Sequence, residues 1–411
     1  MKLLRTGLCG LCLLSLSGGC FPTAQEEPPG IPIGGLLPFT GDLGGKGANL
    51  ERAMMLALES INQAGGVAGQ PIALRSTDTH STVARGIQET EAFLEEQVSI
   101  LIGPEDADTV LETAGLIASA GRFQVLPGIM APRIDPAEAG SSIVRWFRLA
   151  PTPEVVGCTL GQRILADRKR NIAVVHAGDI YNRSMAEAII NKIRATGQYQ
   201  VASYSLEDHS AIVRMLGTAP DAVALLAFPS RAATVVQDMA IAGVTGIAWY
   251  LPPVLRDMDF IKNAIPSFLE GAVGITPFVP TEPKEQFRAA FARRFSGEAP
   301  LLEAFYYYDG LVVAALALES AQLAGDTAFS SLDTHLRKVT LSAGETVNWN
   351  ELDKGLEMLR EGKLINYYGV SSSVDLTASG ELSQNPQLEF WTIKKGDILL
   401  TDQVLRCIQL Q

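Results

Sequence analysis

The chain has 411 residues, 47% hydrophobic and 19% charged, which excludes a disordered chain and suits two cores better than one. Its formal net charge of −12, with no basic block, excludes nucleic-acid binding and electrostatic adhesion to anionic lipid. His80, His176, His209 and His335 are scattered and no Cys-X-X-Cys survives beyond residue 20, so neither a metal nor a cofactor is expected.

Lys2 and Arg5 precede a short apolar core, Leu8 to Leu16, and Ser17-Gly18-Gly19 leads into Cys20. This is a secretory signal over 1–19. Cysteine directly after small residues resembles a bacterial lipobox, with Ser17 where that motif usually has leucine. Cys20 is therefore the expected lipid site, and 20–30, polar and proline-rich, is a tether. An ordinary signal peptide, or an uncut membrane anchor, remains the alternative.

An apolar run over 31–37 predicts a strand, and the glycine-rich loop 39–47 follows it. Leu50, Met54, Ala57 or Leu58, and Ile61 then recur at helical spacing until Gly65-Gly66 stops the helix. The loop has neither GxGxxG nor GxxxxGK[ST], so a nucleotide cradle is weakly supported. A second apolar run covers 71–78, with a helix over 83–96. A strand over 98–102, a helix over 110–120 and a strand over 123–126 come next. Helices follow over 155–166, 185–196 and 233–242, between strands over 172–175, 201–206, 221–227 and 247–251. This alternation is the pattern of a parallel, doubly wound sheet. A helix covers 284–295. The apolar stretch 310–318 is too short for a bilayer and reads as a buried core helix. Apolar runs over 388–393 and 398–405 are the last strands.

Several of these motifs together resemble the type I periplasmic binding proteins, above all the leucine/isoleucine/valine-type substrate-binding proteins of ABC transporters. They are the loop Pro38-Phe39-Thr40-Gly41 with Gly45-Lys46-Gly47, and the helix exit from Ile61 to Ile72. Ile102-Gly103-Pro104, Pro127-Gly128 with Ala131-Pro132, and Phe147-Arg148-Leu149-Ala150-Pro151 add to them. So do Ala304 to Leu311 and Tyr367 to Glu381. The resemblance implies an α/β fold of two Rossmann-like lobes, parallel sheets flanked by helices, joined by a three-crossover hinge near Pro151, Pro277 and Asn385. Lobe 1 would hold 31–150 and 278–384, and lobe 2 would hold 151–277 and 385–411. It implies capture of a small molecule, amino-acid-like or another small organic ligand, between the lobes for an ABC permease. An envelope lipoprotein of the same fold, acting as a protein-interaction regulator or sensor, is the alternative. Enzymatic function is not expected, because Ser230 sits in Phe-Pro-Ser-Arg and not in GxSxG.

The same resemblance places Thr40, Lys46, Asp108, Thr109, Ile129 and Met130 at the ligand from the first lobe, and Tyr181, Phe228 and Pro253 from the second. Hydroxyl positions of the family become Ala107 or Asp108, and Ile129 and Met130. The place that often carries an acid for the ligand's ammonium holds Pro252-Pro253. Leucine, isoleucine and valine are therefore expected to bind poorly. Bland readings stand beside these. Asp42, Glu105, Asp106 and Asp108 read first as helix caps. Lys46 meets an anionic ligand or is a solvated lysine beside Asp42. Tyr181 contacts ligand or closes a strand exit. Met130 and Phe228 line a pocket or are core. Cys158 and Cys407 are the only thiols beyond the lipobox, in an oxidising compartment, and the family topology puts both in lobe 2. A disulfide is expected, with two separate buried thiols as the alternative.

Overall fold

Strand and helix alternate along the chain in a computed structural model that describes residues 30–131, 134, 144–383 and 386–407. The signal segment 1–19, Cys20 and nearly all of the tether lie outside the described residues, as do Pro132 and Asn385. Five strands form a fully parallel first sheet: β1 (Ile31–Leu37), β2 (Ile72–Asp78), β3 (Ile100–Ile102), β4 (Phe123–Leu126) and β5 (Trp146–Arg148). Their order is β2-β1-β3-β4-β5. β5 is three residues long and carries no strand signal of its own; Gln124, Val125 and Leu126 of β4 supply its register.

The second sheet repeats the plan. β6 (Asn171–His176), β7 (Gln200–Ser205), β8 (Ala222–Leu226), β9 (Ala248–Leu251) and β10 (Val273–Pro277) run parallel in the order β7-β6-β8-β9-β10. A small parallel pair, β11 (Glu345–Asn348) and β12 (Ile365–Tyr368), stands apart. β13 (Leu388–Lys394) and β14 (Asp397–Leu405) then extend the second sheet beyond β10, and both pairings are antiparallel. The expected parallel sheet thus carries an antiparallel pair at one edge. Lys395 and Gly396, at φ 56° and 80°, form a two-residue hairpin turn, and such a turn only joins antiparallel strands.

The chain leaves the first sheet after β5, leaves the second after β10 and rejoins the second at β13. Cys158, on the helix Pro153–Ala166, is disulfide-bonded to Cys407 just beyond β14, with Cα atoms 5.6 Å apart. The bond ties the carboxyl-terminal strand pair to the first helix of the second lobe.

Helix starts follow from caps. Asp106 accepts the amide of Thr109 at 2.9 Å, so the helix Ala107–Ser119 begins before the expected 110. Asp179 accepts the amide of Asn182 at 3.0 Å, so Ile180–Arg194 begins before 185. A capping oxygen satisfies an amide that has no partner within the helix. Asp108, Thr109 and Tyr181 consequently sit in rigid first turns and not in loops.

The stretch 310–318 is the middle of a longer helix, Leu302–Leu323, buried on every side from Glu303 to Ala321. A helix apolar all round belongs at the centre of a fold. Among the described residues no helix is long and apolar enough to cross a membrane. On Leu302–Leu323 the three carboxylates and Ser320 have partners. Glu303 pairs with Lys46, Glu319 with Arg360, and Ser320 with His335 at 2.9 Å. Asp309 accepts from the Tyr367 hydroxyl at 2.7 Å, the Val370 amide at 2.9 Å, and the Ser371 amide and hydroxyl at 2.8 and 2.6 Å. That one carboxylate holds the segment after β12 against the core.

Candidate functional site

In sheets of this order the strand sequence reverses between the first and third strands, and ligands bind at the carboxyl ends there. The reversal falls between β1 and β3 in the first lobe, and between β6 and β8 in the second. The two points face each other across a cavity of about 210 Å³. Asp42 and Leu43 line it from the exit of β1, Ser81 and Val83 from that of β2, and Asp106, Ala107 and Asp108 from that of β3. Met130 comes from the exit of β4, Asp179 and Tyr181 from that of β6, and Phe228 from that of β8.

Local structure fixes these positions. Gly41, at φ 81°, brings its Cα where an added Cβ would meet the His80 carbonyl oxygen at 2.2 Å, so only glycine lets the first loop close on the second. Asp78 completes the closure by accepting from the Phe39 amide at 3.0 Å and the Thr40 hydroxyl at 2.7 Å. Tyr181 and Phe228 stack with ring centroids 6.4 Å apart and an interplanar angle of 19°. Tyr181 is 1% exposed, and its hydroxyl has no hydrogen-bond partner among the described residues.

The lining is acidic. Asp42, Asp106, Asp108 and Asp179 contribute carboxylates, and among the described residues no lysine, arginine or histidine lines the cavity. Asp106 caps its helix with Oδ1 and leaves a buried Oδ2 without a partner among the described residues. Burial pushes the Asp108 carboxyl up, and Asp179 and Asp106 push it further against the Ile180 amide and Arg183. Asp108 and Ile180 belong to opposite lobes, so this contact crosses the cleft.

Next to the cavity, within the lobe interface, lies a second charged cluster. Glu105 is fully buried and accepts from the Tyr307 hydroxyl at 3.0 Å. Burial raises its pKa to about 8, against the pull of Lys46. Burial opposes the charge on Lys46, but Glu303 and Glu105 outweigh it and raise the lysine above its ordinary value. Burial likewise disfavours the Glu303 carboxylate, and Lys46 outweighs that and lowers it. Arg256 and Asp257 of the second lobe act on this cluster electrostatically.

A family model for periplasmic binding proteins matches residues 30–350. The chain belongs to the periplasmic binding protein family. The chemotactic signal transduction system substrate-binding protein BasB of Halobacterium salinarum is 24% identical over 362 residues, covering 85% of this chain and 84% of the relative. A leucine-binding protein of Thermotoga maritima superposes with a TM-score of 0.71 at 16% identity, over 91% of this chain and 98% of that one. A solute-binding protein of an ABC transporter from Rhodopseudomonas palustris, in complex with 3,4-dihydroxybenzoic acid, gives a TM-score of 0.69 at 15% identity, over 92% and 98%. These likenesses establish the two-lobed type I fold of the leucine/isoleucine/valine-type members.

In this binding protein Asp108, Met130, Tyr181 and Phe228 come together in the cavity, and five other residues named from the sequence do not line it. Thr40 is tied to Asp78 on the first loop. Lys46 is neither a solvated partner of Asp42 nor free for an anion, because Glu303 holds it. Thr109 is buried, with its methyl against Gly86, where an added Cβ would lie 2.1 Å away. Ile129 is core, and Pro253 starts the short 3₁₀ turn Pro253–Leu255. Ser81, Val83 and Asp179 line the cavity without having been singled out as ligand residues. Their signal was positional: each lies at or just beyond a strand's carboxyl end.

Proposed function

We propose that this chain captures a small organic solute in the cavity between its lobes, outside the cytoplasm, and delivers it to an ABC permease. The observation that carries the reading is the opposition of the two sheet reversal points across one cavity, lined from both lobes. The lobes would be 31–150 with 278–384 and 151–277 with 385–411, hinging at the three passages near Pro151, Pro277 and Asn385. A lipid on Cys20 would hold the protein at the membrane, with the stretch up to residue 30 as its tether. The chain acts by binding and not by catalysis. Its cavity presents carboxylates, an aromatic pair and apolar side chains, and Ser81, the one described serine that lines it, donates its hydroxyl to the Thr40 carbonyl oxygen and accepts from the Leu43 amide. A sensor reading has one specific support, that the Halobacterium relative is named for chemotactic signal transduction. Capture in the same cavity precedes either output.

A thermal-shift screen of a small-molecule library against the purified chain and Val83→Trp tests this. Val83 lines the cavity, so the indole would fill it. A ligand at 100 times its dissociation constant stabilises by about 2.7 kcal/mol. Hits on the wild type that vanish in the variant are expected. Hits unaffected by the variant, or none, would contradict capture at this place.

A further inference from the structure

We propose that the ligand is a small organic cation, an amine or guanidinium on a ring or short hydrocarbon body, without a carboxylate. This narrows the solute-binding reading above and rests on it.

Charge comes first. Among the described residues, four carboxylates line the cavity and no basic side chain does. The helices Ala107–Ser119 and Ile180–Arg194 both present their amino-terminal ends to it, each worth roughly half a positive charge. Two half charges do not offset four carboxylates. Lys46 cannot make up the difference, because its ammonium is held by Glu303. Arg183 acts on Asp108 but does not line the cavity. A ligand carboxylate would therefore meet Asp106 and Asp108 with no cation among the described lining residues to separate them.

Two further observations point to a ligand and do not depend on the acids. The Tyr181 hydroxyl, on a side chain 1% exposed that lines the cavity, lacks a hydrogen-bond partner among the described residues. Such a group calls for a partner from outside the fold. Tyr181 and Phe228 also form one stacked wall, the surface that attracts an ammonium or guanidinium through the ring face. Leu43, Val83 and Met130 supply apolar area for a hydrocarbon body. The volume agrees, since a cavity of about 150 Å³ takes benzene, and this one of about 210 Å³ takes a ring with a short chain. A metal ion fits less well. Among the described residues no three acidic, histidine or cysteine side chains are grouped to ligate one.

Isothermal titration calorimetry on the purified full chain tests the proposal with a matched series: 2-phenylethylamine, 2-phenylethanol and 3-phenylpropionate. Agmatine, putrescine and leucine complete the panel. At least one cation is expected to bind, with its neutral and anionic counterparts at least about tenfold weaker. Affinity should fall as salt rises. Asp108→Asn and, separately, the exposed Asp42→Asn should each weaken the cation, Asp108→Asn by about tenfold, with circular dichroism and thermal midpoint retained. If leucine or the propionate binds and no cation does, the cation assignment falls while solute capture stands. Cation binding unchanged in both variants also overturns it. Silence from the panel overturns the cation assignment, and the wider library screen alone then decides solute capture.

Discussion

Lys46→Met should unmask the buried charge cluster next to the cavity, in a pH-dependent way. Lys46 is the basic group paired with Glu303, and it opposes the rise of Glu105. Removing one partner of a buried ion pair costs about 3–5 kcal/mol, because the other charge stays buried and uncompensated. At about 2–4 °C per kcal/mol for a folding unit of roughly 200 residues, the melting temperature should fall by roughly 10 °C near pH 8. In the wild type Glu105 is already held up to about 8, against an ordinary 4.5. The folded state then binds more protons than the unfolded one between those values, so its contribution to stability is present at low pH and is lost as pH rises through that window. Without Lys46, Glu105 rises further, and Glu303, held down by Lys46 in the wild type, is released upward. Lower pH favours the neutral form of both carboxyls, so the deficit is expected to shrink at pH 5. Differential scanning calorimetry of both proteins at pH 5 and pH 8 measures this directly. Adding Glu303→Gln to Lys46→Met should restore most of the loss at pH 8, since no uncompensated carboxylate then remains at that position. Equal deficits at the two pH values, or none at pH 8, would refute the electrostatic reasoning.

Asp309→Ala should cost more than about 3 kcal/mol in urea unfolding, because four buried donors lose their acceptor at once. A loss under about 1 kcal/mol would show that the segment after β12 is held by something else. Cys158→Ser with Cys407→Ser should lower stability by about 2–5 kcal/mol, below the loop-entropy figure of about 5 for so long a loop. Thiol titration of the denatured, unreduced wild type should find no free thiol among these two; two reactive thiols would mean that the bond does not form. Cys20→Ala should accumulate a larger, unprocessed precursor, and unchanged processing on gels would remove the anchor from the account.

The strands were legible where an apolar run ends in glycine or proline. β1 and β4 have the bounds that the sequence alone suggests, because Pro38 and Pro127 stop the runs soon after. Helix starts were set too late at Ala107 and Ile180. The deciding signal there was a capping aspartate before the apolar pattern begins, not the pattern itself. The central helix showed only its nine apolar residues. Glu303, Asp309 and Glu319 look like surface positions until Lys46, Tyr367 and Arg360 are brought to them from far along the chain. Lys46 was misjudged for the same reason: its partner lies 257 residues away, and no local pattern announces it. In the cavity, Tyr181 and Phe228 were placed by the family resemblance, which puts aromatic residues at these two strand exits. Asp106 was weighed as a cap, and it both caps a helix with one oxygen and lines the cavity. That double use is invisible to spacing. Asp179 does the same in the other lobe.

The central claim is that one solute is gripped by both lobes at once. Hydrogen–deuterium exchange of the chain, with and without the strongest hit from the screen, tests it most directly. Protection is predicted together at 41–43 and 106–109 of the first lobe and at 179–182 and 228–229 of the second. Protection confined to one lobe, or none at these four segments, would contradict it.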